Sequence, residues 1–245
     1  MDKETIDELR AYDLRMIQPL DGYRFSLDPL LLCSFAGRGE WGRVIDLGTG
    51  SGIIPLLLAR KCGPARIVGV EVQEEMAELA VRNAELNGLS DRVEIVCADI
   101  LDLRRRFPVS AFDLVLANPP YRSEGSGRIS PKSGRDKARH ETTATLADFL
   151  ETAKYLVKPG GTISFIHHPV RLAEFCAAAA GLKLSILRMR MVHGNAKAPA
   201  RMVLLEMAKG RKGELEVLPP LLVYEENGEY SGEMKRILSG RDLRG

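Results

Sequence analysis

The sequence predicts an α/β fold built on a doubly wound, mostly parallel sheet, and three observations predict it. Apolar runs of strand length alternate with helical patterns from Gly42 onward, the signature of strands joined by crossover helices. The first of these strands runs into the glycine-rich turn DLGTGSG. The last two strands have only the loop GNAKAPA between them. That is too short for the crossover that parallel neighbours need, so this pair must be antiparallel.

The elements follow in order. GRVIDLG (42–48) is the first strand, and SGIIPLLLARKCG is a helix closed by Gly63. ARIVGVEV (65–72) is the second strand, followed by the helix EEMAELAVRNAELNG with Gly88 just past its end, where a left-handed residue commonly closes a helix. DRVEIVCAD (91–99) is the third strand, and LDLRRRF a short helix or connection. The fourth strand, FDLVLANPP, ends in two prolines, neither of which can donate to a ladder. LADFLETAKYLVKPGG reads as a helix stopped by Pro159-Gly160-Gly161, then TISFIHH as a strand and HPVRLAEFCAAAAG as a helix. KLSILRMRMVH and ARMVLLEMAK complete a set of seven strands. At the N-terminus, Asp28-Pro29 reads as a helix cap followed by proline at the first helical position. At the other end, LPPLLVY fits an edge strand and SGEMKRIL a capping helix.

Composition excludes several classes. The 245 residues carry 35 basic and 33 acidic side chains, a net charge of +2 that selects no partner by itself. The longest apolar runs fall short of the roughly 20 residues of a membrane span. The opening MDKETIDELR is too polar for a secretory signal. Cys33, Cys62, Cys97 and Cys176 form no CxxC pair and have no histidine at metal spacing, so no metal is expected. They read as reduced, mostly buried thiols of a cytoplasmic protein. Charge distribution says more than charge total. Between Arg122 and Arg139 lie Arg122, Arg128, Lys132, Arg135, Lys137 and Arg139 against only Glu124 and Asp136, in a Gly/Ser-rich segment. A long, basic loop of this kind suits the backbone of a polyanion.

The site motifs cluster at strand ends. In Asp46-Leu47-Gly48-Thr49-Gly50-Ser51-Gly52 the glycines permit unusual backbone angles and close ligand approach. Ile53 stands where a dinucleotide fingerprint would need glycine. Glu71 ends the second strand and Asp99 the third. The plan and the DLGTGSG turn resemble the Rossmann-like class I methyltransferases that use S-adenosylmethionine. The resemblance implies that Asp46, Gly48, Thr49, Gly50 and Gly52 form the cofactor loop, that Glu71 takes the ribose hydroxyls, and that Asp99 takes the adenine amino group. The fourth strand delivers Asn118-Pro119-Pro120-Tyr121 to the same edge. This resembles the NPPY motif of methyltransferases acting on planar nitrogens, whose lone pairs are delocalised. In such enzymes the side-chain oxygen of the position matching Asn118, which also borders the cofactor, and the carbonyl of the position matching Pro119 accept the two amine N–H groups. Pro120 stiffens the corner and the ring of Tyr121 receives a base.

Three substrate readings stand. Adenine N6 in RNA is the first, a protein glutamine N5 or a ribosomal RNA nitrogen the second, and a catalytically silent RNA-binding protein the third. About 40 residues precede the first strand, too few for the helical domain with which glutamine methyltransferases grip their substrate. GYRFSLDPLLLCSFAG, KAPARMVLLEMAKG and LPPLLVYEENGEYSGEMKRIL resemble the bacterial tRNA(Val) adenine-N6 methyltransferase family. That resemblance implies methylation of a tRNA adenine beside the anticodon; from charge alone, the basic loop is expected to grip phosphates, with Lys197 and Arg201 adding contacts. The expected organisation is a single domain, with a cap over 1–40, a catalytic core over 41–208 and an extension over 209–245. His167, His168 and His193 are expected to be structural. Oligomeric state is left open, with a monomer favoured.

Overall fold

A computed structural model of the chain describes residues 4–20, 26–36, 39, 41–61, 65–119 and 144–240. An N-terminal hairpin pairs β1 (Glu4–Leu9) with β2 (Leu14–Pro19). Helix α1 (Asp28–Ala36) then leads into the alternating core: β3 (Arg43–Leu47), α2 (Ile53–Lys61), β4 (Arg66–Glu71), α3 (Glu74–Leu86), β5 (Val93–Cys97) and β6 (Phe112–Ala117). After α4 (Leu146–Leu156) come β7 (Val157–His167), α5 (Leu172–Gly181), β8 (Leu184–His193) and β9 (Ala200–Lys209). Two short strands, β10 (Glu216–Val217) and β11 (Leu221–Leu222), and helix α6 (Gly232–Leu238) complete it.

The main sheet runs β10-β8-β9-β7-β6-β3-β4-β5, with β11 also on β8. Among the described residues β9 alone is reversed, inserted between β7 and β8. The expected antiparallel pair is therefore present. The two short strands on β8 extend the expected seven, and β11 and α6 are the edge strand and capping helix read from LPPLLVY and SGEMKRIL. Side chains alternate between two cores because helices cover both faces of a parallel sheet. Val44, Leu114, Leu116, Ile166 and Leu204 pack with α1, α2 and the hairpin. Ile45, Leu47, Val115, Phe165 and Leu205 pack with α4 and α5. Burial of each such leucine or isoleucine contributes about 1.5–3 kcal/mol. No helix among the described residues is long and apolar enough to cross a membrane.

Five expectations change. The hairpin departs from the sequence reading because charged residues on its solvent side interrupt the apolar pattern; of the three β2 residues that alternate inward, Leu14, Met16 and Gln18, only the first two are apolar. Helix α1 takes in Asp28, and the bond from Leu31 N–H to the Leu27 carbonyl makes Leu27 the cap, one position earlier. Helix α4 ends at Leu156, and Pro159-Gly160-Gly161 forms a bulge inside β7. There, Phe112–Leu114 of β6 faces Val157–Thr162, and a Cβ on Gly161 would lie 2.9 Å from the Asp113 carbonyl oxygen. Thus the glycine marks a close backbone approach rather than a stop. Cys97 is exposed rather than buried, while Cys33 is buried and Cys176 half-buried. Gly63 and Cys62 lie outside the described residues. HPVR, read as the start of α5, forms a separate 3-10 turn over Pro169–Arg171.

Candidate active site

The strand order reverses between β3 and β6, since β4 and β5 extend the sheet to one side and β7 to the other. Open α/β sheets bind ligands at such a switch point, beyond the strands' carboxyl ends. Leu47 and Ala117 are the last paired residues of β3 and β6, so Gly48 and Asn118 leave the sheet side by side. The glycine turn and the proline corner therefore share one crevice.

The turn is a backbone structure. Gly48, Gly50 and Gly52 have φ of 76°, 55° and 85°, left-handed values that a side chain would strain. Gly48 and Thr49 donate their N–H groups to the Val70 carbonyl at 2.9 and 2.8 Å, which ties the turn to β4. A Cβ on Gly52 would sit 3.1 Å from the Ala80 Cβ, so α3 packs directly on the turn. Helix α2 starts at Ile53 with no acid in its first turn, leaving its N-terminal end favourable to a carboxylate.

Three carboxylates surround this turn in different states. Glu71 is 7% exposed. Its Oε2 accepts from Gly50 N–H at 2.8 Å, and its Oε1 accepts from Val72 and Gln73 N–H at 3.0 Å each. Three of about four acceptor sites are thus engaged. One site on Oε2 remains, so a second ribose hydroxyl would have to displace Gly50 N–H. Asp99 is half-buried and caps the 3-10 turn Ile100–Arg105, with Oδ1 accepting from Leu101 N–H at 2.9 Å. Asp46 lies within β3, 0% exposed, and neither oxygen has a hydrogen-bond partner among the described residues. Burial pushes its pKa up to about 7, the nearby Thr49 hydroxyl draws it partly back, and the charge of Glu71 adds to the rise. That hydroxyl makes no well-formed hydrogen bond; Thr49 Oγ1 is itself buried and without a partner.

This arrangement fits S-adenosylmethionine. A buried, unpartnered carboxylate beneath the turn complements a cationic ligand, and the cofactor carries both an ammonium and a sulfonium. A left-handed glycine backbone offers the close approach. Glu71 and Asp99 keep acceptor capacity on the two neighbouring strand ends.

On the β6 side, Asn118 is half-buried and Pro119 buried. Below them, Phe149 of α4 supports the turn, 3.7 Å from where a Gly48 Cβ would stand. Helix α4 is started by a capping box in which Thr145 and Asp148 satisfy each other's backbone N–H groups. Pro120, Tyr121, Arg122, Arg128, Lys132, Arg135, Lys137 and Arg139 lie outside the described residues. Arg201 and Lys197 sit at the same edge, where β8 ends and β9 begins. Lys197 Nζ is 2.9 Å from Glu226, an exposed ion pair that holds the charge only weakly.

The histidines have structural partners. His167 is 2% exposed and its Nδ1 accepts the His168 N–H at 2.8 Å, which leaves the proton on Nε2. Burial holds its pKa below the ordinary value, and Arg171 adds to the effect. His168 Nδ1 lies 3.2 Å from the Arg201 carbonyl, and His193 Nδ1 2.8 Å from that of Ala198. Sequence reading passed over Asn83, a fully buried residue of α3 that donates to the Ser51 carbonyl in the glycine turn at 3.0 Å. The available signal was an asparagine on the alanine-lined inner stripe of an amphipathic helix, repeated at Asn87.

Comparison with known proteins identifies the family. A family profile described as a methyltransferase domain matches residues 40–210. A tRNA1(Val) (adenine(37)-N6)-methyltransferase of Porphyromonas gingivalis is 32% identical over 222 residues, covering 87% of this chain and 86% of that protein. The enzyme of the same name from Photobacterium profundum is 28% identical, covering 86% and 88%. Among solved structures, a predicted O-methyltransferase of Agrobacterium tumefaciens aligns with a TM-score of 0.71 at 25% identity, over 87% of this chain and 96% of that one. The chain belongs to the tRNA1(Val) (adenine(37)-N6)-methyltransferase family.

Proposed function

We propose that this protein transfers a methyl group from S-adenosylmethionine to the N6 amine of an adenine in tRNA, beside the anticodon. The observation that carries the reading is the placement of Asn118-Pro119 next to the glycine turn at the switch point. When bound, the cofactor supplies a methyl group already activated by its sulfonium. Asp46, Gly48, Thr49, Gly50, Gly52, Glu71 and Asp99 hold it. The chain's task is then positioning. An exocyclic amine presents two N–H groups, and Asn118 Oδ1 with the Pro119 carbonyl accept one each. An amide oxygen is no base, so these acceptors would orient the amine rather than deprotonate it; transfer would leave the sulfonium sulfur as the neutral thioether of S-adenosylhomocysteine, and the methylated amine would lose its surplus proton to water. Proper alignment of reactants supplies much of such a rate enhancement. Tyr121 stacks on the extruded base, an interaction of about 1–3 kcal/mol, and a loop base costs less to extract than one in a duplex.

Residues 41–208 act as the catalytic core in this reading, flanked by 1–40 and 209–245. The support for Arg122, Arg128, Lys132, Arg135, Lys137 and Arg139 as phosphate contacts is their charge, with Arg201 and Lys197 at the same sheet edge. A tRNA substrate places the protein in the cytoplasm. The relatives' names support this substrate over a protein glutamine. The test is to incubate the protein with S-adenosylmethionine and total tRNA from cells lacking the gene, then analyse nucleosides by mass spectrometry. New N6-methyladenosine is expected. A different methylated nucleoside, or none, would overturn the reading.

A further inference from the structure

Strand β2 is laddered to helix α3 by two asparagine side chains in place of a neighbouring strand. Asn83 Oδ1 accepts the Ile17 N–H at 2.7 Å, and its Nδ2 donates to the Ile17 carbonyl at 3.2 Å. One turn further, Asn87 Oδ1 accepts the Arg15 N–H at 2.9 Å, and its Nδ2 donates to the Arg15 carbonyl at 2.7 Å. Each carboxamide thus mimics a peptide group. The match is geometric: two residues of strand advance about 6.7 Å, and four residues of helix about 6.0 Å. Arg15 and Ile17 are the residues whose backbone groups point away from β1, so the asparagines complete an otherwise open strand edge.

The two asparagines differ in one respect. The remaining N–H of Asn87 goes to the Asn83 carbonyl at 2.7 Å, within its own helix. That of Asn83 goes to the Ser51 carbonyl at 3.0 Å. Ser51 stands between Gly50 and Gly52, both left-handed. The peptide unit that joins Ser51 to left-handed Gly52 is held at both ends: its N–H donates to the Thr49 carbonyl at 3.0 Å, and its carbonyl accepts from Asn83, the bond that ties it to α3. Every donor of the buried Asn83 amide is used, so the turn cannot reorient without leaving a buried group unsatisfied or loosening Ile17.

We infer that Asn83 is a positioning residue that couples the seating of the cofactor turn to the docking of the N-terminal hairpin. The inference rests on the reading of that turn as the S-adenosylmethionine site. Coupling of this kind is reciprocal: a ligand that fixes the turn must also tighten Ile17 against α3. Hairpin docking by itself does not depend on Asn83 alone, since Leu14 and Met16 are buried and Arg82 makes a bidentate pair with Glu4 at 2.9 and 2.7 Å.

The experiment measures S-adenosylhomocysteine binding by calorimetry and amide hydrogen exchange at Ile17, in the full chain and in Asn83→Ala and Asn87→Ala. In the unmodified protein the ligand should slow exchange at Ile17 at least tenfold. Asn87→Ala, which frees Arg15 but leaves the bonds of Asn83 to Ile17 and Ser51 in place, should keep its affinity within about threefold and retain that protection. Asn83→Ala should bind at least tenfold more weakly and lose the ligand-dependent protection at Ile17. Equal affinities in the two variants, or unchanged Ile17 exchange in the liganded unmodified protein, would overturn the coupling while leaving the cofactor site intact. If Asn83→Ala fails to fold, the unmodified protein's exchange decides. Absence of binding by the unmodified protein would overturn both readings.

Discussion

The two edges of the central sheet treat their carboxylates in opposite ways. At the edge where β6 begins, Asp113 accepts from Gly42 and Arg43 N–H at 3.0 and 2.8 Å and pairs with Lys158 at 2.5 Å. Burial pushes its pKa up, but the Lys158 hydrogen bond and the two backbone donors outweigh that and hold it below the usual range. Toward the edge where the strands end, Asp46 is buried with no hydrogen-bond partner among the described residues, and its pKa rises to about 7. One carboxylate fastens the loop before β3 and the bulge in β7 to the sheet. The other is a buried carboxylate whose charge is disfavoured, a penalty that protonation or a cationic ligand would relieve. Polar groups left unsatisfied in a folded chain mark where it expects something else to bind.

The contrast can be broken or sharpened by four substitutions, in order of expected effect. Asn118→Ala removes one amine acceptor and should lower turnover on tRNA by about 100- to 1000-fold, the scale of losing one preorganised hydrogen bond. S-adenosylhomocysteine affinity by calorimetry should stay within about threefold. A parallel collapse of affinity would show that the corner belongs to the cofactor rather than the amine.

Asp46→Asn should free the ligand-less protein from a pH penalty. The folded-state pKa lies above the unfolded value, so stability is full below about pH 4 and is lost as pH rises through about 7. The substitution should cancel that loss, roughly 4 kcal/mol at most, seen as a urea midpoint that no longer falls over this range. Conversely, S-adenosylmethionine should bind the unmodified protein more tightly as pH rises through 7, with proton release detectable by calorimetry in buffers of different ionisation enthalpy. A flat pH profile would mean that Asp46 is already ionised.

Glu71→Gln halves the acceptor oxygens and leaves at least one of the Gly50, Val72 and Gln73 N–H groups unsatisfied, a cost of about 1–3 kcal/mol. Cofactor affinity should drop about tenfold or more. An affinity equal to that of the unmodified protein would reduce Glu71 to a backbone fastener. Asp113→Asn should act least, by about 1 kcal/mol or less, because its ion pair is partly exposed. Asp113 is the usual carboxylate case: its folded pKa is depressed, so its contribution is present above about pH 4 and disappears as pH falls. Loss of acid sensitivity in the melting temperature, with ligand affinity untouched, is the expected signature.

What the sequence displayed and what it concealed divide along physical lines. Glycines 48, 50 and 52, the acids at strand ends and the proline corner are local features, and each could be placed because its backbone demand is written in its own residue type. The open α/β plan followed from alternation alone. The partners of those groups could not be read, since the three N–H donors on Glu71 and the absence of any on Asp46 arise only when β3, β4 and the turn meet. The hairpin stayed hidden because Glu4, Asp7, Glu8 and Arg10 dilute its alternation. Pro159-Gly160-Gly161 misled because the same residues that end a helix also form a bulge. Asn83 and Asn87 were in plain view at helical spacing, and only the chain passing alongside them gave that spacing a meaning.

The central claim, an amine holder tuned to a nucleobase, is tested most directly by a choice experiment. Equal amounts of unmodified tRNA and a glutamine-bearing release factor would be offered together with methyl-labelled S-adenosylmethionine. The account predicts label in N6-methyladenosine of the tRNA, abolished by Asn118→Ala. Label in N5-methylglutamine, or in a tRNA nucleoside other than N6-methyladenosine, would contradict it.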